Sequence, residues 1–121
     1  MANILVVDDQ RAIRGMFKAI LKATSHDVDY AEDGAIAYAA AKGKVYDLIL
    51  ADMIMPNMDG LELTQKLRKL SKYEDTPIFI VSSSSDDDKK QAARQAGANG
   101  WIVKPVSADK ILKLVSQTIG S

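Results

Sequence analysis

The most restrictive feature of the sequence is a strict alternation: five short strand-like runs, each closing on polar or turn-forming residues, with a helix-periodic stretch after each. The runs are Ile4-Leu5-Val6-Val7, Val28-Asp29-Tyr30-Ala31, Leu48-Ile49-Leu50-Ala51, Pro77-Ile78-Phe79-Ile80-Val81 and Gly100-Trp101-Ile102-Val103-Lys104-Pro105. The third constrains most. Four consecutive apolar residues suit a parallel strand covered on both faces, whereas a half-exposed strand would alternate. It ends on Asp52, and Pro56, Asn57, Asp59 and Gly60 then turn the chain. Asp52 is thereby expected at the carboxyl end of a central strand, where open parallel sheets bind ligands.

The stretches between the runs read as helices. Ile13, Met16, Phe17, Ile20 and Leu21 form an apolar stripe within a helix over about 10–23. Asp33-Gly34 caps an alanine-rich helix that stops at Lys42-Gly43, and Leu63, Leu67 and Leu70 mark a third. Asp86, Asp87 and Asp88 crowd the first turn of a fourth, which runs to about Ala96 with only alanines for an apolar face. Ser107 caps a fifth, lined by Ile111, Leu112, Val115 and Ile119.

Parallel strands joined by right-handed helical crossovers imply an α/β doubly wound five-stranded parallel sheet, with five helices on both faces. Strand order 2-1-3-4-5 sets the first and third strands side by side, so Asp8, Asp9 and Asp52 converge on one crevice. Clustered carboxylates need protons or a cation, and an all-oxygen set suits Mg²⁺. Lys104 and Ser82, at the ends of the fifth and fourth strands, add a cation and a hydroxyl.

Composition narrows the setting. A chain of 121 residues with 47% hydrophobic content is expected to form a single domain spanning 1–121. Sixteen basic and sixteen acidic side chains cancel, so no overall field favours nucleic acid or an anionic membrane. The absence of cysteine, of a signal-peptide pattern and of a long apolar run leads to the expectation of a soluble cytoplasmic protein with no membrane span. His26 reads as a loop residue without a partner, and Met53, Met55 and Met58 read as core filling.

Together, Asp8-Asp9, Asp52, Met55-Pro56, Asp59-Gly60 and Lys104-Pro105 closely resemble the motifs of the receiver domain of two-component response regulators, in particular the stand-alone chemotaxis type with its flavodoxin-like fold. The resemblance covers the whole chain. It implies that Asp52 attacks the phosphorus of a phosphohistidine on a sensor histidine kinase or phosphotransfer protein. It further implies that Asp9, Asp52 and the Ile54 backbone carbonyl ligate Mg²⁺, with Asp8 helping through water, and that Lys104 is followed by a cis Pro105. Ser82, Trp101, Lys104 and Pro105 take the family's switch positions. The expected protein is thus a monomeric phosphoacceptor that signals by binding a protein target, and an enzyme only toward its own phosphoryl group. With no output domain after the last helix, that signal is expected to pass through the face of the fourth helix, fifth strand and fifth helix, which carries Lys89, Lys90, Arg94, Trp101 and Lys113.

Two other readings compete. A metal-dependent phosphatase wants a second carboxylate two residues after the nucleophile, where this chain has Ile54. A pseudo-receiver used only for binding is expected to lack an acid or the lysine, and all are present. Ile54 and Ser84 are expected to flank the in-line approach to phosphorus and are neither acid nor amide, so a long-lived phosphoryl group is expected. Trp101 departs from the Tyr or Phe usual at its position; its bulk is expected to leave room for partial inward rotation or another rotamer, while still responding to phosphorylation.

Overall fold

The computed structural model describes residues 1–120. Its elements run β1 (Asn3–Val7), α1 (Arg11–Leu21), β2 (Asp27–Ala31), α2 (Gly34–Gly43), β3 (Leu48–Asp52), α3 (Gly60–Arg68), β4 (Ile78–Ser82), α4 (Asp87–Ala96), β5 (Gly100–Val103) and α5 (Ala108–Ile119), with a 3₁₀ turn at Ser71–Tyr73. All strand pairs are parallel, in the order β2-β1-β3-β4-β5.

Strand alternation sorts the core into two layers. Ile4, Val6, Leu48, Leu50 and Val81 face Phe17 and Leu21 of α1 and Ile111 and Val115 of α5. Leu5, Val7, Ile49, Ala51, Ile78 and Ile80 face the other way, against Ala37 and Ala41 of α2, Leu63 and Leu67 of α3 and Ala93 of α4. Both faces of β1 and β3 are therefore covered, which is why their sequences are continuous apolar runs. Each fully buried aliphatic side chain of this kind contributes about 1.5–3 kcal/mol.

The ends of the elements follow local chemistry. Asp33 accepts a hydrogen bond from the Ile36 N–H and Ser107 from the Lys110 N–H, closing the starts of α2 and α5. α4 stops at Gly97, whose φ of 110° is left-handed and open to glycine without strain. Several boundaries differ from the sequence reading. α1 is shorter at both ends, since Gln10 has extended backbone and Lys22 caps the helix. Leu70 lies beyond α3, where Lys69 caps the helix and the chain tightens into the 3₁₀ turn. β5 ends at Val103, leaving Lys104 and Pro105 in the following loop.

Candidate functional site

Parallel pairing puts Val7 opposite Ala51, so the residues that continue β1 emerge beside the last residue of β3. Asp8, Asp9 and Asp52 each offer a carboxylate oxygen, and these oxygens all lie within 4.8 Å of one another. Asp8 and Asp52 are buried, with 1% and 8% exposure, while Asp9 is open to solvent. Lys104 reaches in from beyond β5, its backbone N–H donating to the Ser82 carbonyl at 2.7 Å. Its Nζ stands 3.1 Å from Asp8 Oδ2 and 3.3 Å from Asp52 Oδ1, and its peptide bond to Pro105 is cis.

The electrostatics are asymmetric. Burial, and after it the charge of Asp8, pushes the Asp52 carboxyl above the usual carboxylate range, and Lys104 offsets only part of this. Burial opposes the Lys104 charge too. There the hydrogen bond to Asp8 and the field of Asp52 prevail and raise its pKa. One cation thus serves two carboxylates with a third close by, and the crevice has room in its charge balance for a second cation. Asp8 is already engaged, Oδ1 by the Gln10 N–H at 2.9 Å and Oδ2 by Lys104. Asp9, Asp52 and the Ile54 carbonyl are freer: among the described residues that carbonyl accepts no backbone hydrogen bond.

The loop after β3 is folded tightly onto this site. Asp59 caps α3 through the Glu62 N–H, and the Gly60 N–H donates to the Met53 carbonyl at 2.9 Å. A Cβ at Gly60 would overlap the Asp52 carbonyl oxygen, so the Asp-Gly pair lets this turn lie against the strand end. Asn57, at φ 70°, donates from Nδ2 to Asp33 Oδ2 at 2.8 Å and fastens the turn to the start of α2. Met55 and Met58 are buried and Met53 packs against the core, as expected of filling residues. Ile54 instead projects into solvent with 72% exposure.

Ser82 is buried at the end of β4, its Oγ accepting from the Ser84 N–H at 3.1 Å. Trp101, opposite Ile80 on β5, is half-buried and donates its indole N–H to the Ser84 carbonyl at 2.8 Å. Lys90, Arg94 and Trp101 line one small cleft of about 70 Å³ between α4 and β5. Trp101 also borders a groove with Lys113 and Leu114, so the residues assigned to the output face do share a surface. Lys89 is exposed on the same helix.

Three contacts had no signal in the sequence. Arg14 Nη1 donates to the Asp8 carbonyl at 2.7 Å, bracing the acidic pair from α1. The indole bond to Ser84 is the second. His26, read as partnerless, corrects that reading: Nδ1 accepts from the Ala2 N–H at 3.0 Å and Nε2 lies 2.8 Å from the Gly120 carbonyl, closing the opposite end of the sheet. The larger depressions of the surface do not coincide with Asp52. One of about 610 Å³ lies beside His26, and one of about 660 Å³ lies between α1 and β2.

The sequence pattern of the response regulator receiver domain matches residues 4–116. The chain belongs to that family. This receiver domain is 35% identical over 121 residues to a chemotaxis protein CheY homolog of Campylobacter jejuni, covering 98% of this chain and 93% of that protein. It is 37% identical to a gliding motility regulatory protein of Myxococcus xanthus over 102 residues, but spans only 13% of that protein's length. Its fold superposes on chemotaxis protein CheY4 of Vibrio cholerae with a TM-score of 0.93 at 36% identity, covering 98% of this chain and 99% of the other. The receiver domain of sensor histidine kinase PA1611 of Pseudomonas aeruginosa, which holds a magnesium ion in its active-site cleft, gives 0.90 at 27% identity over 99% and 98% of the two chains. Receiver domains are phosphoacceptors of two-component signalling. Among the described residues no helix of this receiver domain is long and apolar enough to cross a membrane.

Proposed function

We propose that this receiver domain accepts a phosphoryl group on Asp52 from a sensor histidine kinase or phosphotransfer protein, with Mg²⁺, and signals by binding a protein target. The observation that carries the reading is the convergence of Asp8, Asp9 and Asp52 with Lys104 between two of them. The donor set is all oxygen, anionic and incompletely neutralised, which fits a hard divalent cation. Asp9, Asp52 and the Ile54 carbonyl would hold Mg²⁺ directly and Asp8, its own oxygens engaged, through water. A bound Mg²⁺ would neutralise charge on the phosphoryl oxygens and orient them.

The chain's own groups do the rest. An Asp52 carboxylate oxygen forms the bond to phosphorus as the bond from phosphorus to the donor's imidazole nitrogen breaks, so the imidazole leaves with the electron pair. Lys104 stays paired with Asp8 and faces the charge developing on the transferred group. The Ser82 hydroxyl donates to one of its oxygens. The target is read by the α4-β5-α5 face, where Lys89, Lys90, Arg94, Lys113 and the half-buried Trp101 favour an acidic amphipathic protein segment over nucleic acid, the chain as a whole carrying no net charge. The 1–121 chain works as one unit, a monomer in this reading.

Acetyl phosphate with Mg²⁺ is expected to add one hydroxylamine-sensitive phosphoryl group by intact mass, and none to Asp52→Asn. Unchanged labelling of Asp52→Asn would move the acceptor elsewhere.

A further inference from the structure

Between Asp52 and the Asp59 cap the chain runs Met53-Ile54-Met55-Pro56-Asn57-Met58, and Asn57 is its only polar side chain. That amide reaches across to α2, Nδ2 donating to Asp33 Oδ2 at 2.8 Å. The buried Asp33 carboxyl has its other oxygen on the Ile36 N–H, also at 2.8 Å. The Ile36 bond, and after it the one from Asn57, hold that carboxyl below the usual carboxylate range, so at neutral pH it only accepts. Asn57 is also, among the described residues, the one non-glycine with left-handed backbone, at φ 70°. Asparagine tolerates this region better than most residues, yet such outliers persist where their surroundings enforce them. Backbone bonds tie the two ends of the turn: the Met53 N–H to the Val81 carbonyl at 3.3 Å, and the Gly34 N–H to the Met58 carbonyl at 3.1 Å. Ile54 lies between these ties, its side chain in solvent and its carbonyl accepting no backbone bond.

We infer that Asn57 and Asp33 are positioning residues for the cation of the proposed site: their bond holds the turn after β3 in the conformation that keeps the Ile54 carbonyl available to the ion. The inference rests on the receiver reading and extends the site to a pair that touches neither the ion nor the phosphoryl group. Met55 and Met58 fix the turn through burial, which is non-directional, whereas the amide–carboxylate bond also fixes its backbone at residue 57. A carbonyl held in place before the ion arrives spares binding the cost of ordering the turn. Coupling of this kind is reciprocal, so a bound cation strengthens the Asn57–Asp33 bond by the factor that the bond adds to cation affinity.

The test uses Mg²⁺ alone as the probe, in calorimetric titrations. Asp33→Ser keeps a capping oxygen for α2 but is too short to reach Asn57, and Asn57→Gly keeps the left-handed backbone open while removing the amide. Each binds Mg²⁺ about fivefold more weakly than the wild type, the scale of one net hydrogen bond. The double variant is no weaker than either single one, because both cut the same link. Asp33→Asn is the control for charge: its carbonyl keeps the Ile36 N–H and its amide donates to a turned-over Asn57, so Mg²⁺ affinity stays at the wild-type level. A second measurement needs no substitution: by NMR, the Asn57 side-chain amide of the wild type exchanges with solvent about fivefold more slowly once Mg²⁺ is bound. Unchanged affinity in Asp33→Ser and Asn57→Gly overturns the inference and leaves the pair a purely structural tie, as does unaltered amide exchange where those variants fail to fold. Equal weakening in Asp33→Asn and Asp33→Ser overturns it too, by assigning the effect to the Asp33 charge. Failure of the wild type to bind Mg²⁺ at all overturns the receiver reading of the site and the inference with it.

Discussion

At Asp52, burial and the neighbouring Asp8 work against ionisation, and the consequence for stability has a definite sign. A carboxyl whose folded pKa is raised holds its proton more tightly when folded, so its ionised form opposes folding above the unfolded value, near pH 4. Asp52→Asn is therefore expected to raise the melting temperature at pH 7 by a few degrees, the response to about 1 kcal/mol in a domain of this size. The gain should vanish as pH falls through the unfolded pKa. Asp29 is the opposite case. Hydrogen bonds from Lys44 and then Tyr46 hold its carboxyl below the usual range, so its contribution is present above the unfolded pKa and lost as pH falls through the folded one. Asp29→Asn should lower the melting temperature at pH 7 and matter progressively less in acid, by thermal melts across pH. Lifetime of the phosphoryl group is also set by single residues. Ile54 has an apolar side chain and Ser84, whose Oγ accepts the Asp86 N–H, is neither an acid nor an amide, so general-base assistance to water is expected to be missing. Ile54→Asn is expected to speed decay of the acyl phosphate about tenfold or less, below the full range of general-base assistance, as followed by phosphate release.

Among the elements, the short 3₁₀ turn does more than its length indicates. Tyr73 is fully buried there, and its hydroxyl accepts from the Tyr46 N–H while facing the carbonyls of Ala41 and Lys44 at 2.7 and 2.6 Å. It thereby anchors the end of α2 and the entry to β3. Tyr73→Phe strands these buried backbone groups and is expected to cost about 1–3 kcal/mol, measured by urea denaturation. Gly60 governs the entry to α3. Gly60→Ala drives a methyl into the Asp52 carbonyl, which cannot move without moving the strand end, for an expected loss of about 1–3 kcal/mol. That variant should also lose phosphorylation by acetyl phosphate, since the displaced atom belongs to the proposed acceptor, Asp52.

For the whole molecule, cation binding and folding are linked. The three carboxylates are brought together only by the fold, so Mg²⁺ bound there favours the native state over the unfolded one. At a hundred times its dissociation constant the expected stabilisation is about 2.7 kcal/mol, read as a rise in melting temperature. Asp9→Asn, which removes an exposed proposed ligand without disturbing the Asp8–Lys104 pair, should abolish most of that rise. Charge at the proposed output face belongs to the same scale: reversal of Lys89, Lys90 and Arg94 is expected to weaken binding of an acidic target peptide, and unaltered affinity would place the target on another face.

Periodicity and strand-end chemistry determined, from the sequence alone, the alternation of elements, the two-sided burial of Leu48–Ala51 and the meeting of Asp8, Asp9 and Asp52 at one sheet edge. These are properties of a repeat of apolar positions and of the handedness of parallel crossovers, and both are local or general rules. Helix ends were less legible, because Lys22 and Lys69 cap through backbone geometry that leaves no distinctive residue type. Only the tertiary structure decided that Lys104 divides itself between Asp8 and Asp52, that His26 bridges Ala2 and Gly120, and that the Trp101 indole holds the Ser84 carbonyl. Each joins groups distant in sequence, and most engage a backbone N–H or carbonyl, which every residue type carries alike; their pairing is set by loop conformation and side-chain reach, which no spacing of residue types encodes.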